Sequence, residues 1–164
     1  MKLKSYLAGE WREGSGEGRA VHDAITGEQV CSVTSDGLNI SEAVNYARTK
    51  GGPSLRSMTF HDRANALKAM AKYLLSRKED FYSLSLKTGA TRSDGWIDIE
   101  GGIGTLFSFG SLVTREFPNS TVLVEGAMER LSRGGSFVGR HILTSKPGVS
   151  VHINAFNFPC WGML

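Results

Sequence analysis

Apolar positions along the chain follow two periods. Up to Thr34 they come in short alternating runs: Tyr6 to Trp11, Arg19 to Asp23 and Gln29 to Thr34 predict strands separated by Gly-rich and Thr-Gly turns. The stretch Gly14 to Gly18, "GSGEG", is too acidic and too short to cradle a phosphate and predicts a hairpin loop. From Asn39 the period lengthens to that of a helix. Asn39 and Glu42 have capping-box spacing, Ile40, Ala43, Val44 and Ala47 share a face, and Gly51-Gly52-Pro53 predicts the stop. Thr59, with Asp62 three residues on, caps the clearest helix, whose stripe is Phe60, Ala64, Leu67, Ala71 and Leu74. A further helix carries Phe81, Leu84 and Leu86 and ends at Gly89. Asp94 then caps a long segment through Trp96, Ile99, Ile103, Phe107 and Leu112 that stops before Pro118. Gly101, Gly102 and Gly104 inside it cost about 1 kcal/mol each against Ala, which close approach to a neighbouring backbone would justify. That run follows no strand and lacks GxGxxG spacing, so it is not a dinucleotide loop.

The second half returns to the strand period. Thr121 to Glu125 and Arg140 to Ser145 predict strands around a Gly-rich stretch. Val149, Val151, Ile153 and Ala155 alternate with Ser150, His152 and Asn154 and predict another. Asn157 is then a good N-cap and Pro159 suits a first helical turn, so strand passes into helix at Asn157. In an open α/β sheet ligands bind beyond the carboxyl end of a strand, at such a junction. The helix has barely begun at Leu164, the pattern of a segment cut from a larger domain.

Composition narrows the classes. The length, 164 residues, suits one domain or part of one, and 20 glycines are an excess over ordinary usage. Net charge is +3, but the basic residues are scattered, and the densest stretch, Arg56 to Lys78, doubles as an amphipathic helix; no nucleic-acid partner is expected. Cys31 and Cys160 are far apart, and His22, His61, His141 and His152 form no ligand spacing, so no metal site is expected. With neither signal peptide nor apolar span, a cytoplasmic protein without membrane contact is expected.

Chemistry concentrates at the end of the chain. The Asn157 amide either caps a helix or donates to a developing oxyanion. Cys160 is either a small buried residue or, with His152 as base, a nucleophile at a helix N-terminus. Phe156, Phe158 and Trp161 either pack a core or line a substrate tunnel.

The stretch "HINAFNFPCWGML" resembles the signature around the oxyanion asparagine of aldehyde dehydrogenases, with Asn157 on that asparagine. "MTFHDRANALKAMAKYLLSRKEDFY", "LSLKTGATRSDGWIDIEGGIGTLFSFGSL" and "RHILTSKPGVSVHINAFNFPCWGML" are similar to the bifunctional ring-opening dehydrogenases of phenylacetate degradation, and the likeness runs along essentially the whole chain. A sister class, the semialdehyde dehydrogenases of the aerobic benzoyl-CoA pathway, shares "INAFNFP"; Cys160 and "GGIGTLF" favour the phenylacetate class. The resemblance implies an α/β fold, the N-terminal part of an aldehyde dehydrogenase domain. Residues 1–118 would be strands and helices of the cofactor-binding domain, 119–148 the strands that oligomerise such enzymes, and 149–164 the first strand of a Rossmann-like sheet with the start of the next helix. It implies NADP or NAD as cofactor, a CoA-linked semialdehyde as substrate, a homo-oligomer, and a C-terminal hydratase domain in the intact protein. Asn157 would be the catalytic donor, Ile153, Asn154, Ala155 and Phe156 would run beside the cofactor, and Phe158 and Trp161 would line the tunnel. Ala155 and Phe156 depart from the Pro and Trp of many relatives. The family's cysteine nucleophile, catalytic glutamate and glycine-rich cofactor turn match nothing in these residues, so the segment is expected to be inactive alone; a non-catalytic interaction module is the alternative.

Overall fold

The computed structural model describes residues 1–164. The chain opens with two antiparallel hairpins, β1 (Lys4–Leu7) with β2 (Glu10–Glu13) and β3 (Arg19–His22) with β4 (Gln29–Val33). The run from Tyr6 to Trp11 is therefore not one strand: it folds back at Ala8 and Gly9, both at positive φ (52° and 94°). Gly14 to Gly18 joins two hairpins rather than closing one. An isolated parallel bridge, Lys2 to Ser32, ties the chain start to β4.

The Asn39 side chain accepts from the Glu42 N–H at 3.0 Å and starts α1 (Ile40–Tyr46). Gly51-Gly52-Pro53 does not stop the helix: a π-helical turn (Ala47–Gly51) leads directly into α2 (Gly52–Ser57). Pro53 lies in the first turn of α2, where a missing N–H costs little. Helix α3 (Phe60–Ser76) carries a complete capping box between Thr59 and Asp62. It is followed by α4 (Lys78–Leu86) and the 25-residue α5 (Arg92–Glu116). Thr91, not Asp94, is the N-cap of α5; Asp94 returns the bond from the third helical position.

The core is where α3, α4 and α5 meet. Ala71, Tyr82, Ile99, Ile103 and Leu106 are buried together, and Leu74, Phe81, Cys160 and Leu164 pack against them. Of the three glycines of α5 expected to approach a neighbouring backbone, only Gly102 does: a Cβ on Gly101 meets a side chain at 3.9 Å and one on Gly104 meets nothing within 4 Å, while Gly110, not singled out in the sequence, makes a second close approach. A Cβ on Gly110 would lie 2.9 Å from the Ala64 carbonyl of α3, and one on Gly102 would lie 3.1 Å from the Trp161 Cα. The start of α3 is pinned to the far end of α5: the Phe60 N–H donates to the Ser120 carbonyl at 2.9 Å, and His61 Nε2 lies 2.8 Å from the Phe117 carbonyl. Beyond Phe117 come β5 (Val122–Arg130) and β6 (Val138–Thr144), an antiparallel pair bulged between Glu125 and Glu129 and anchored where Arg63 donates to Ser145 Oγ at 2.8 Å.

Residues 149–155 form no strand, which corrects the expectation of a first Rossmann-like strand. A strand is defined by its ladder, and no other segment pairs with these residues. Their apolar side chains remain in solvent, Ile153 at 92% exposure. The helix expected from Asn157 is likewise a series of turns over Phe156–Met163. Only 13 residues of the chain are buried, and its surface, 11739 Å², exceeds the about 8,000 Å² of a compact monomer of this mass. Large faces of these elements are thus open. No helix is long and apolar enough to cross a membrane.

Candidate active site around Asn157

The terminal turn is held on α5 by three contacts. Asp98, 4% exposed, projects from the second turn of that helix. Its Oδ1 accepts the Cys160 N–H at 3.1 Å and the Trp161 N–H at 2.8 Å, and its Oδ2 lies 3.2 Å from the same Cys160 nitrogen. One helical turn on, Gly102 leaves room for the Trp161 backbone. Beside them Cys160 and Leu164 complete the apolar packing over Ile99 and Ile103. Past Cys160 the backbone begins to wind, its carbonyl accepting from the Met163 and Leu164 N–H groups at 3.1 Å each.

Asn157 lies at the front of this turn, exposed, and its side chain makes no hydrogen bond within the chain. It does not cap the turn; the Asp98 carboxylate does that from a different element. With Phe156 and Phe158 it faces Thr88, Gly89, Ala90 and Asp94 across a shallow depression of about 240 Å³. The floor of that depression is the α4–α5 connection, where Gly89 reverses the chain at φ +86°.

The other expected site residues are partly gathered. Phe156 is 90% exposed and shares the depression, while Phe158 and Trp161 meet edge to face with ring centroids 6.4 Å apart. Trp161 stands on the other flank of the turn, over Gly101 and Gly102. Ile153 and Ala155 are exposed, but the Asn154 Oδ1 is buried with no donor, close to Gly162. The exposed Ile153, Ala155 and Phe156 leave an apolar strip open to a ring-bearing cofactor, whereas the Asn154 Oδ1 faces inward.

Cys160 is no nucleophile. Burial first, and then the neighbouring Asp98 charge, push its thiol from 9.0 up to about 11, the reverse of an activated cysteine. His152 bonds only to Ser150 Oγ, at 3.1 Å, and reaches no thiol. Sequence reasoning missed Asp98. The available signal was a carboxylate flanked by Ile97 and Ile99, one turn before a glycine on the same helical face.

The segment is mixed α and β, with an unpaired asparagine amide at the lip of an open depression. The profile of the aldehyde dehydrogenase family matches residues 11–164, and the chain belongs to that family. It matches the N-terminal part of the dehydrogenase domain, and members of the family use NAD or NADP. It is 40% identical over 164 residues, 99% of its own length, to the 3,4-dehydroadipyl-CoA semialdehyde dehydrogenase of Aromatoleum evansii. The chain spans about a third of that relative, 32% of its length.

Proposed function

We propose that the complete dehydrogenase carrying this segment oxidises a CoA-linked, ring-opened semialdehyde to the acid, as in aerobic phenylacetate catabolism, with Asn157 as the oxyanion donor. The observation that supports this most is the free Asn157 amide. A buried or bonded amide has no hydrogen to spare, whereas this one, exposed beside Phe156 and Phe158, has both. As a thiolate adds to the aldehyde, its carbonyl oxygen gains negative charge, and a preset N–H donor favours that state over the ground state. The attacking thiolate comes from a cysteine other than Cys160, whose thiol stays protonated at neutral pH. Ile153, Asn154, Ala155 and Phe156 would hold the cofactor, NADP in preference to NAD, with the exposed Ile153, Ala155 and Phe156 side chains as its apolar support. The cofactor supplies hydride acceptance. Phe158 and Trp161 line the approach of the acyl chain.

The open β5–β6 pair exposes Met128 and Ile142, at 62% and 59%, and Phe137 just before β6 is 63% exposed. That apolar edge suits the assembly of a cytoplasmic homo-oligomer, with residues 119–148 as its contact and 1–118 and 149–164 on the cofactor-binding side. The name of the Aromatoleum evansii relative favours a second reading of the substrate, 3,4-dehydroadipyl-CoA semialdehyde itself. Steady-state oxidation of the two semialdehydes by the full-length enzyme, with each nicotinamide cofactor, separates the readings by kcat/KM. In the same assay Asn157→Ala is expected to lower kcat about 10²–10³-fold. An unchanged kcat removes Asn157 from the oxyanion role.

A further inference from the structure

The terminal turn has a cap that does not come from its own chain neighbourhood, and this frees the residue that locally ought to provide it. Asn157 precedes Pro159 in the sequence pattern of a self-capped helix start. A self-capping asparagine turns its side-chain oxygen onto the backbone N–H groups two or three residues on, and its amide turns with it. Here the N–H groups of Cys160 and Trp161 are taken by Asp98, which lies 62 residues earlier than Cys160. Asp98 pairs with no lysine, arginine or histidine. A carboxylate out of water without a countercharge is costly unless oriented donors solvate it, and these two N–H groups do so.

We propose that Asp98 is a positioning residue for Asn157: by capping the turn from α5 it keeps the Asn157 amide off its own backbone and presented to the depression. The inference rests on the oxyanion reading of Asn157. Gly102 belongs to the same device, because it sits one turn from Asp98 on the same face and sets how closely the Trp161 backbone approaches.

The test is a double-mutant cycle on the full-length enzyme with Asp98→Ala and Asn157→Ala, read as kcat, KM and melting temperature. Asp98→Ala removes both acceptor oxygens; Asn would keep the one oxygen that takes both N–H groups. Asp98→Ala is expected to lower kcat by about 10- to 100-fold, the scale of an ångström-sized misplacement, with KM changed less than about twofold. In the Asn157→Ala background the same change is expected to leave kcat where Asn157→Ala alone put it. A merely structural Asp98 would lower the melting temperature in both backgrounds and multiply its kcat effect onto that of Asn157→Ala. Multiplicative effects, or wild-type kcat in Asp98→Ala, overturn the inference while leaving Asn157 in its role. Wild-type kcat in Asn157→Ala removes the oxyanion reading and this inference with it. Should Asp98→Ala not fold, Gly102→Ala shifts the same turn with the carboxylate intact. A smaller loss of kcat and the same non-additivity with Asn157→Ala are expected; a wild-type kcat there overturns the inference.

Discussion

A methyl group added at two glycines of α5 separates helix propensity from packing within a single element. At Gly104 an added Cβ meets nothing within 4 Å. Gly104→Ala therefore removes backbone entropy from the unfolded chain and should stabilise by about 1 kcal/mol. At Gly110 the added Cβ lies 2.8 Å from Lys68 Cγ and 2.9 Å from the Ala64 carbonyl oxygen. The lysine stem can swing aside, at the expense of its 2.9 Å bond to Thr114 Oγ1. The Ala64 carbonyl cannot, because it belongs to the backbone of α3 at a residue only 1% exposed. Relief requires α3 and α5 to move apart over the core they share. Overpacking of this kind costs about 1–3 kcal/mol, against the propensity gain of about 1 kcal/mol. The two variants are thus expected to differ by the overpacking cost, about 1–3 kcal/mol, with Gly110→Ala the less stable, or roughly 3–10 °C in Tm for a domain of this size. Thermal unfolding followed by circular dichroism measures both. If Gly110→Ala melts with or above Gly104→Ala, the close α3–α5 backbone approach is not a constraint and the account of this helix pair is wrong.

Other expectations concern ionisable groups. Cys160 should alkylate slowly: with its thiol raised from 9.0 to about 11, its thiolate fraction at pH 8 is about 100-fold below that of the unfolded chain. Equal rates at this residue with and without urea, by mass spectrometry, would contradict that. The same raised value means that its contribution to stability is full below pH 9.0 and is lost as pH rises towards 11. Glu100 behaves oppositely. Bonds from Tyr82 Oη (2.8 Å) and Lys78 Nζ (3.1 Å) hold its carboxyl below its ordinary 4.5. The stability it confers is complete above 4.5 and lost as pH falls through its lowered value. Tyr82→Phe should therefore destabilise at pH 7 more than at pH 3, and a penalty independent of pH would show that the Tyr82 bond does not set the acid limb.

Local physics was legible and long-range physics was not. The Thr59–Asp62 capping box and the stripe from Phe60 to Leu74 are sequence-local, and α3 begins where they place it. The β5 and β6 strands were legible as β-rich runs, although shorter than they are. Failures came where the deciding partner is distant or missing. The alternation over 149–155 describes a strand, but no ladder partner lies within the chain. Asp94 and Thr91 are both good caps, and only the observed bonds show which leads. At the site, the asparagine was found through a family signature. Whether it capped or donated depended on Asp98, whose role no pattern of neighbours contains.

Helix α5 contributes Asp94 to the wall of the depression and Asp98 and Gly102 to the seat of the turn, at intervals of four residues. It acts as a ruler: each interval is a fixed advance of about 6 Å along one face. A loop can absorb a change of length, but one residue inserted between Asp94 and Gly102 would rotate the seat about 100° away from the wall. Insertions and deletions among homologous chains should therefore accumulate in the β5–β6 connection and avoid these nine positions of α5, which keep a reading frame of their own.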